Sequence, residues 1–250
     1  MVGVKMTGKL YLRVQERKSR VERLKNELQK QNFDGMFVTD PNFLFWLTGF
    51  AHIPTERPCG LLIPVEGNPA VVLCKLEAWH WEERIPWIDD VTLYLDYPGP
   101  APGEKAHCYD VVADMIKDHG ITKGKRLATD GLGLTYHAPK EMDFFKTPYG
   151  HGPSMRAHFE KALDGVEIVD KSEILTEWML ILSEAEKELV REATKWGFLA
   201  HRIAYELIAP GRTPFEICNE ASMEASLAMI KTLGPNYEPL IVGLGQPWPA

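Results

Sequence analysis

The stretch Ser-Glu-Ala-Glu-Lys-Glu-Leu-Val-Arg-Glu-Ala, residues 183–193, predicts the start of a long helix. Ser183 and Glu186 have the spacing of a capping box, in which hydroxyl and carboxylate each accept from a backbone N–H at the helix start. Apolar residues then recur at alternating spacings of four and three, which is typical of a half-buried helix. They are Leu189, Ala193, Trp196, Ala200, Ile203 and Leu207. We expect Pro210-Gly211 to end this helix.

A second helix start follows after a short interval. Thr213 is a good cap, Pro214 suits the first helical position, and Glu216 has the boxing position again. Each of these signals is common, so the two helix starts alone indicate structure and not function.

The amino-acid sequence of residues 183–193 and 208–217 is more specific, because it closely resembles the start of a known catalytic domain. That domain belongs to the creatinase, prolidase and aminopeptidase P family, the pita-bread metallohydrolases. Two positions depart from the family's usual sequence pattern: Leu182 stands where a Lys is usual, and Pro214 stands where a Glu is usual. Neither position carries chemistry in the family.

The resemblance implies two divalent metal ions, Mn, Co or Zn, held in the family by two Asp, one His and two Glu. Those ligands lie further along the family's chain than the Pro-Gly-x-Thr segment. We therefore expect no metal ligand and no catalytic residue in this chain, and no activity from residues 1–250 alone.

A second segment, residues 40–50, resembles the family's Asn-x-x-Tyr-Leu-Thr-Gly-Phe signature, with Trp46 where the Tyr is common. In related enzymes the following loop crosses a dimer interface and lines the partner's active-site mouth. The resemblance thus implies that Phe50, His52 and Arg57 bind substrate in the partner subunit. An arginine can form paired hydrogen bonds with a substrate carboxylate, and an aromatic ring can cover a proline-like face.

An alternative remains open for the same residues. Phe50 and Trp46 would then belong to the hydrophobic core, while His52 and Arg57 would form a surface ion pair with Glu56.

The first 170 residues alternate predicted helices and strands. Helical patterns cover residues 17–28, 77–83, 108–119 and 154–163, with a weak one at 141–145. Strand patterns cover residues 36–38, 60–65, 70–73, 91–94, 126–129 and 166–169. Glu66-Gly67-Asn68-Pro69 separates two of these strands and indicates a hairpin.

This alternation predicts an α/β fold with a mixed sheet and helices on its faces. The resemblance implies a ribonuclease-H-like N-terminal domain over residues 14–170 and a connecting helix over 171–182. Residues 183–250 would be the start of a pita-bread α+β catalytic domain, truncated at the end of the chain.

Composition argues against nucleic-acid binding, a membrane span and a zinc site. A net charge of −7 over 250 residues gives no basic surface for nucleic acid. No apolar run is long enough to span a membrane. The four cysteines lack close pairing, which favours a reducing cytoplasm, and the eight histidines show no zinc-binding spacing.

Two local patterns have plain structural interpretations. Asp130-Gly131-Leu132-Gly133 lacks the remaining residues of a phosphate-binding loop and is expected to be a turn. The segment with Trp79, Trp81 and Trp87 is expected to form a helix that packs on the sheet rather than a binding surface.

The resulting functional hypothesis is an Xaa-Pro dipeptidase or aminopeptidase that acts as a homodimer on a peptide or small-molecule substrate. Creatinase-like, ectoine hydrolase-like or dimethylsulfoniopropionate lyase-like chemistry on the same scaffold is an alternative, because a fold does not fix a reaction. A non-catalytic dimerisation protein is a further alternative.

Overall fold

The computed structural model describes residues 12–51, 59–95, 108–131 and 155–233. The chain divides into two compact units, one spanning Arg13–Ile181 and a second that contains the last two helices. Among the helices of these ranges, none has the length and hydrophobicity needed to cross a membrane.

The first unit contains six strands and six α-helices within the described ranges. The strands are β1 (Gly35–Val38), β2 (Gly60–Pro64), β3 (Ala70–Cys74), β4 (Asp90–Tyr94), β5 (Arg126–Thr129) and β6 (Glu167–Asp170). The helices are α1 (Val14–Lys30), α2 (Pro41–Thr48), α3 (Ala78–Arg84), α4 (Cys108–Asp118), α5 (Met155–Ala162) and α6 (Ser172–Met179). The predicted strands and hairpin are therefore confirmed, whereas the weak helix at 141–145 lies outside the described residues.

The six strands form one mixed sheet in the order β4-β3-β2-β1-β5-β6. The β2–β3 hairpin is antiparallel, and β2 also pairs antiparallel with β1. Every other pairing is parallel, including β1 with β5, where Phe37 lies opposite Thr129. The mixed α/β sheet predicted from the sequence is confirmed.

Successive side chains of a strand point to opposite faces of the sheet, so the apolar central strands present apolar side chains on both faces. Helices cover both of these faces. Met36 lies in one hydrophobic cluster with Leu24 of α1 and Trp81 of α3. Its neighbour Phe37 lies in the other cluster with Phe159 of α5, where the two ring centroids are 5.6 Å apart. Every residue of β1, β2 and β3 is buried as a result.

The second unit contains α7 (Glu184–Glu206) and α8 (Pro214–Leu233). The capping box is confirmed, since Glu186 N–H donates to the Ser183 hydroxyl and Ser183 N–H donates to the Glu186 carboxylate. At the start of α8, Thr213 N–H donates to the Glu216 carboxylate at 2.8 Å.

The apolar stripe of α7 differs in detail from the sequence pattern. Trp196 and Ala200 are buried, but Ala193 is exposed and its neighbour Glu192 is buried in its place. Lys195 donates to the Glu192 carboxylate at 3.0 Å, and this pairing compensates part of the cost of burying a charge. The helix also ends at Glu206, before the Pro-Gly pair.

The half-buried carboxylate of Asp130 joins the carboxyl ends of β1 and β5. Asp130 Oδ2 accepts from the backbone N–H groups of Thr39 and Asp40, each at 2.5 Å, and its Oδ1 accepts from the Thr39 hydroxyl at 3.0 Å. Burial raises the pKa of Asp130 to about 6, and these three donors oppose the rise. Asp130 thus links the ends of two strands, while Leu132 and Gly133 of the predicted turn lie outside the described residues.

Asp130 should make the stability of the first unit depend on pH. Its folded-state pKa lies above the ordinary value of 3.8, so its stabilising contribution is complete below about pH 3.8 and is lost as the pH rises through about 6. In the Asp130→Asn variant this dependence should vanish. The unfolding free energy of the wild type relative to the variant should therefore rise by about 2 kcal/mol between pH 7.5 and 4.5.

Urea denaturation at the two pH values measures this difference. Asp164→Asn makes the same change at an exposed aspartate and keeps Asp130, so it should retain the pH dependence of the wild type. A constant difference between wild type and Asp130→Asn across the range would contradict the assignment.

Candidate functional site

The candidate site is the segment that begins after α2 and ends at the start of β2. Of its predicted residues, His52 and Arg57, together with Glu56, lie outside the described residues. Phe50 is described and is 2% exposed. Its ring packs edge-on against Trp81, with centroids 4.9 Å apart, which favours the core interpretation that the sequence left open for Phe50.

Helix α2 leads the chain into this segment. Asp40 caps it by accepting from the N–H groups of Asn42 and Phe43 at 2.8 and 3.2 Å, and Pro41 occupies its first turn. The sequence interpretation treated this stretch as a signature and did not predict a helix. The Asp-Pro pair was the available signal, because it combines a favoured cap with a favoured first residue.

The end of α2 is a tight left-handed turn. Gly49 has φ +93° and donates its N–H to the Phe45 carbonyl at 2.8 Å. Thr48 is buried, and its hydroxyl donates to the Leu44 carbonyl at 2.7 Å while accepting from Phe50 N–H at 3.0 Å. These bonds satisfy backbone groups that the helix end would otherwise leave unpaired.

Two arginines of α1 contact the same helix end. Arg17 donates to the Phe45 carbonyl at 2.6 Å, and Arg20 donates to the Trp46 carbonyl at 2.9 Å. Each guanidinium also lies over the ring of the residue whose carbonyl it contacts, at 5.6 and 4.3 Å from the ring centroids. Trp46 packs against the core without being fully buried. Its ring therefore contacts both the hydrophobic core and the guanidinium of Arg20.

The other end of the segment returns to the core at Cys59. This residue is 4% exposed, and burial, followed by the charge of Glu77, raises the pKa of its thiol to about 12. The thiol therefore stays protonated and is no nucleophile. At the next residue, Gly60, a Cβ would stand 2.2 Å from the Phe37 ring, so only glycine fits.

The described histidines of the first unit, His80, His119 and His158, each lie within salt-bridge distance of an acid. His80 lies 3.5 Å from Glu77, and His158 lies 2.9 Å from Asp110. Within the described ranges, no group of three or more His, Cys, Asp or Glu is arranged to hold a metal ion. These residues do not fit the metal centre that the family resemblance implies.

The aromatic helix α3 largely follows its predicted packing. Trp81 is fully buried and donates to the Ile88 carbonyl at 3.1 Å. Trp87 is partly buried against the same cluster. Trp79 differs, because it is 61% exposed and stacks on His80 with centroids 4.5 Å apart.

Residues 20–143 match the Creatinase/Prolidase N-terminal domain. These residues form a creatinase/prolidase N-terminal domain. The match includes α2, Arg20 and strands β1 to β5, and it agrees with the resemblance carried by residues 40–50.

Curated relatives extend the similarity beyond this domain. An uncharacterised peptidase from Staphylococcus haemolyticus is 23% identical over 206 residues, which cover 82% of this chain and 49% of the relative. The Xaa-Pro dipeptidase of Lactobacillus delbrueckii subsp. lactis is 24% identical over 208 residues, covering 83% and 49%. The chain thus spans about half the length of the curated relatives it matches.

Solved structures show the same fold. A prolidase from Thermococcus sibiricus has a TM-score of 0.58 at 19% identity, covering 88% of this chain and 50% of that one. An Xaa-Pro dipeptidase from Bacillus anthracis has a TM-score of 0.56 at 19% identity, covering 86% and 49%. This creatinase/prolidase N-terminal domain therefore has the prolidase fold, with the first helices of the pita-bread region following it.

Gly49 should be far less tolerant of a side chain than a comparable glycine elsewhere. Gly49→Ala places a Cβ in the left-handed region and 2.6 Å from Arg17 Cζ. We expect a loss of about 3 kcal/mol or more of unfolding free energy, from backbone strain together with displacement of the guanidinium.

Gly120→Ala is the matched control for this change. Gly120 also follows a helix with positive φ, at +78°, but no described atom lies within 4 Å of its Cβ position. Backbone strain alone should cost about 1 kcal/mol there. Urea denaturation compares the two variants, and equal losses would show that the Arg17 contact adds nothing.

Proposed function

We propose that this chain is the N-terminal portion of a metal-dependent Xaa-Pro dipeptidase-like hydrolase that acts as a homodimer in the cytoplasm. The observation that carries the proposal is the similarity to an Xaa-Pro dipeptidase over 208 residues, well beyond the 20–143 domain match. The four cysteines are free, as suits a reducing compartment.

The proposed role of this portion is to bind and orient substrate. The metal ions, when bound, would activate water and stabilise the charge that develops on the scissile carbonyl. The described residues supply no ligand set for them, so no catalytic step is assigned to those residues.

His52 and Arg57 are the proposed substrate contacts, made in the active site of the partner subunit. Arg57 would pair with the carboxylate of the substrate through two parallel hydrogen bonds, which fixes both position and orientation. Phe50 is not included, because its ring is occupied by core contacts with Trp81.

The relatives' names favour peptide hydrolysis over the other reactions of the scaffold. The similar curated proteins are named as a peptidase and an Xaa-Pro dipeptidase. Creatinase-like, ectoine hydrolase-like and lyase-like chemistry have no comparable observation in their favour, and neither has a non-catalytic dimerisation role.

The activity is tested on the full-length protein that contains this chain. It should cleave Xaa-Pro dipeptides such as Ala-Pro when Mn²⁺, Co²⁺ or Zn²⁺ is present, and chelation should abolish cleavage. Ala-Ala is the substrate control and should be cleaved at least about tenfold less efficiently, measured as kcat/KM. Absence of Xaa-Pro cleavage with all three metals would refute the proposal.

Arg57 is tested through the carboxylate it would bind. Arg57→Ala in the full-length protein should raise KM for Ala-Pro by about tenfold, because a positioning contact is lost. The same variant should change KM little for Ala-Pro amide, which lacks the carboxylate.

Two further variants sharpen this test. Arg57→Lys keeps the charge but not the paired hydrogen bonds, so its KM should fall between wild type and Arg57→Ala. Arg84→Ala removes an exposed arginine of α3 and should leave KM unchanged for both substrates. Equal effects of Arg57→Ala on the dipeptide and its amide would rule out the carboxylate contact.

A further inference from the structure

The end of α4 and the start of β4 are joined through the ring of His119. This histidine directly follows α4, and its side chain is 18% exposed. Its Nδ1 lies 2.8 Å from the Met115 carbonyl in the last turn of α4, and its Nε2 lies 3.0 Å from the Asp90 carboxylate. Asp90 is the first residue of β4, which is the outermost strand on one side of the described sheet.

Both ring nitrogens of His119 face an oxygen that can only accept a hydrogen bond. A backbone carbonyl is an acceptor, and so is an ionised carboxylate. A neutral imidazole carries one N–H and can donate to only one of these oxygens, whereas an imidazolium carries two. The contacts with Met115 and Asp90 therefore coexist as hydrogen bonds only while the ring is protonated.

A positive ring also complements the end of α4. The carboxyl end of a helix carries about −0.5 of an elementary charge, which a cation in the last turn offsets. The backbone there is already paired, because the N–H groups of His119 and Gly120 donate to the carbonyls of Met115 and Lys117 at 3.2 and 2.8 Å. The ring is thus free to join this helix end to another element.

The charged side chains near the ring belong to the two elements that it joins and to the turns beside them. They are Asp89 and Asp90 at the start of β4, and Asp114, Lys117, Asp118 and Lys123 in α4 and the turn after it. Lys117 and Asp114 lie 3.8 Å apart and pair with each other. Asp90 is the acid that contacts the ring.

Loss of one proton places an acceptor nitrogen opposite an acceptor oxygen. We expect the Asp90 contact to open, because its side chain is 49% exposed and can turn to water, whereas Met115 is buried. The apolar contacts between the two elements remain, since Tyr94 of β4 lies in one cluster with Val112 and Ile116 of α4. Deprotonation should therefore release the start of β4 without separating β4 from α4.

From this geometry we propose that His119 is a pH-dependent clamp on the outermost strand β4. The clamp is closed while the ring is protonated and ties Asp90 to the end of α4. Histidine changes charge between about pH 5 and 8, so the clamp holds at the acidic end of this range and is lost as the pH rises. The inference goes beyond the proposed function, because it concerns the first unit alone and needs no substrate.

The first measurement is amide hydrogen exchange of the 250-residue chain at about pH 5.5 and 8.0. Exchange is expressed as protection factors, so the intrinsic pH dependence of exchange cancels. Protection over residues 90–94, divided by that of Leu62, should fall about threefold at the higher pH. Leu62 in the buried strand β2 reports global opening, so this ratio removes the effect of Asp130 on the whole unit.

Two variants test the clamp from its two sides. His119→Gln removes the titrating ring and should make the ratio independent of pH. Asp90→Asn should do the same, because an amide can accept from a protonated ring and donate to a neutral one. If His119→Gln does not fold, Asp90→Asn decides the outcome, since it changes a side chain that is 49% exposed.

His80→Gln is the matched control in the same unit. His80 also lies beside an acid, Glu77 at 3.5 Å, but the two are three residues apart in one stretch of chain and do not join a helix to a strand. This variant should keep the pH dependence of the wild type over residues 90–94.

The second measurement observes the ring directly by nuclear magnetic resonance of protein labelled with nitrogen-15. At about pH 5.5 both nitrogens of His119 should carry protons, and at about pH 8.0 only Nδ1 should, because the Met115 carbonyl keeps its donor. A proton kept on Nε2 instead would leave the Asp90 contact intact and would overturn the clamp.

The exchange data have equally clear adverse outcomes. A ratio that does not change with pH in the wild type overturns the clamp. An unchanged pH dependence in His119→Gln or Asp90→Asn also overturns it, because the dependence would then not require this contact. Loss of the dependence in His80→Gln overturns it as well, by placing its origin elsewhere in the first unit.

Discussion

Burial of the three central strands on both faces is the constraint from which the rest of the first unit follows. Every residue of β1, β2 and β3 is buried, so each face of the sheet needs its own layer of helices. The chain meets this need by sending α1, α2, α3 and α6 to one face and α4 and α5 to the other. Backbone polar groups at the ends of strands and helices must then find partners inside the protein. The Asp130 carboxylate provides them after β1, and the two arginines of α1 provide them at the end of α2.

The candidate site depends on this arrangement because it begins where a core element ends. Phe50 is anchored in the core and Gly60 is held against Phe37, so both described ends of the segment are set by the sheet and its helices. The arginine contacts with α2 hold the first of these two ends.

Much of this fold could be predicted from sequence because its signals are local. Continuous apolar runs marked the buried strands, Glu66-Gly67-Asn68-Pro69 marked the hairpin, and Ser183 with Glu186 marked the start of α7. Helix α2 was missed because its eight residues are nearly all apolar or aromatic, which leaves no helical period to detect. The contacts of Arg17 with Phe45 join residues 28 positions apart, and the burial of Glu192 depends on packing. Neither leaves a mark in the local pattern. For His52 and Arg57, sequence resemblance supplied the hypothesis, and their role stays a prediction.

The pairing of β1 with β5 has a consequence for the order in which the first unit folds. The hairpin of β2 and β3 closes a short loop, and β1 joins it across 21 intervening residues, so these strands associate at a lower entropic cost than β1 and β5. The Thr39–Asp130 contact instead spans 91 positions, and the parallel pairing beside it must wait for a much larger loop to close. During synthesis, β1 through β4 emerge from the ribosome well before β5, and β1 then offers an unpaired apolar edge. The parallel pairing with β5, fixed by the contact between Asp130 and Thr39, is what covers this edge.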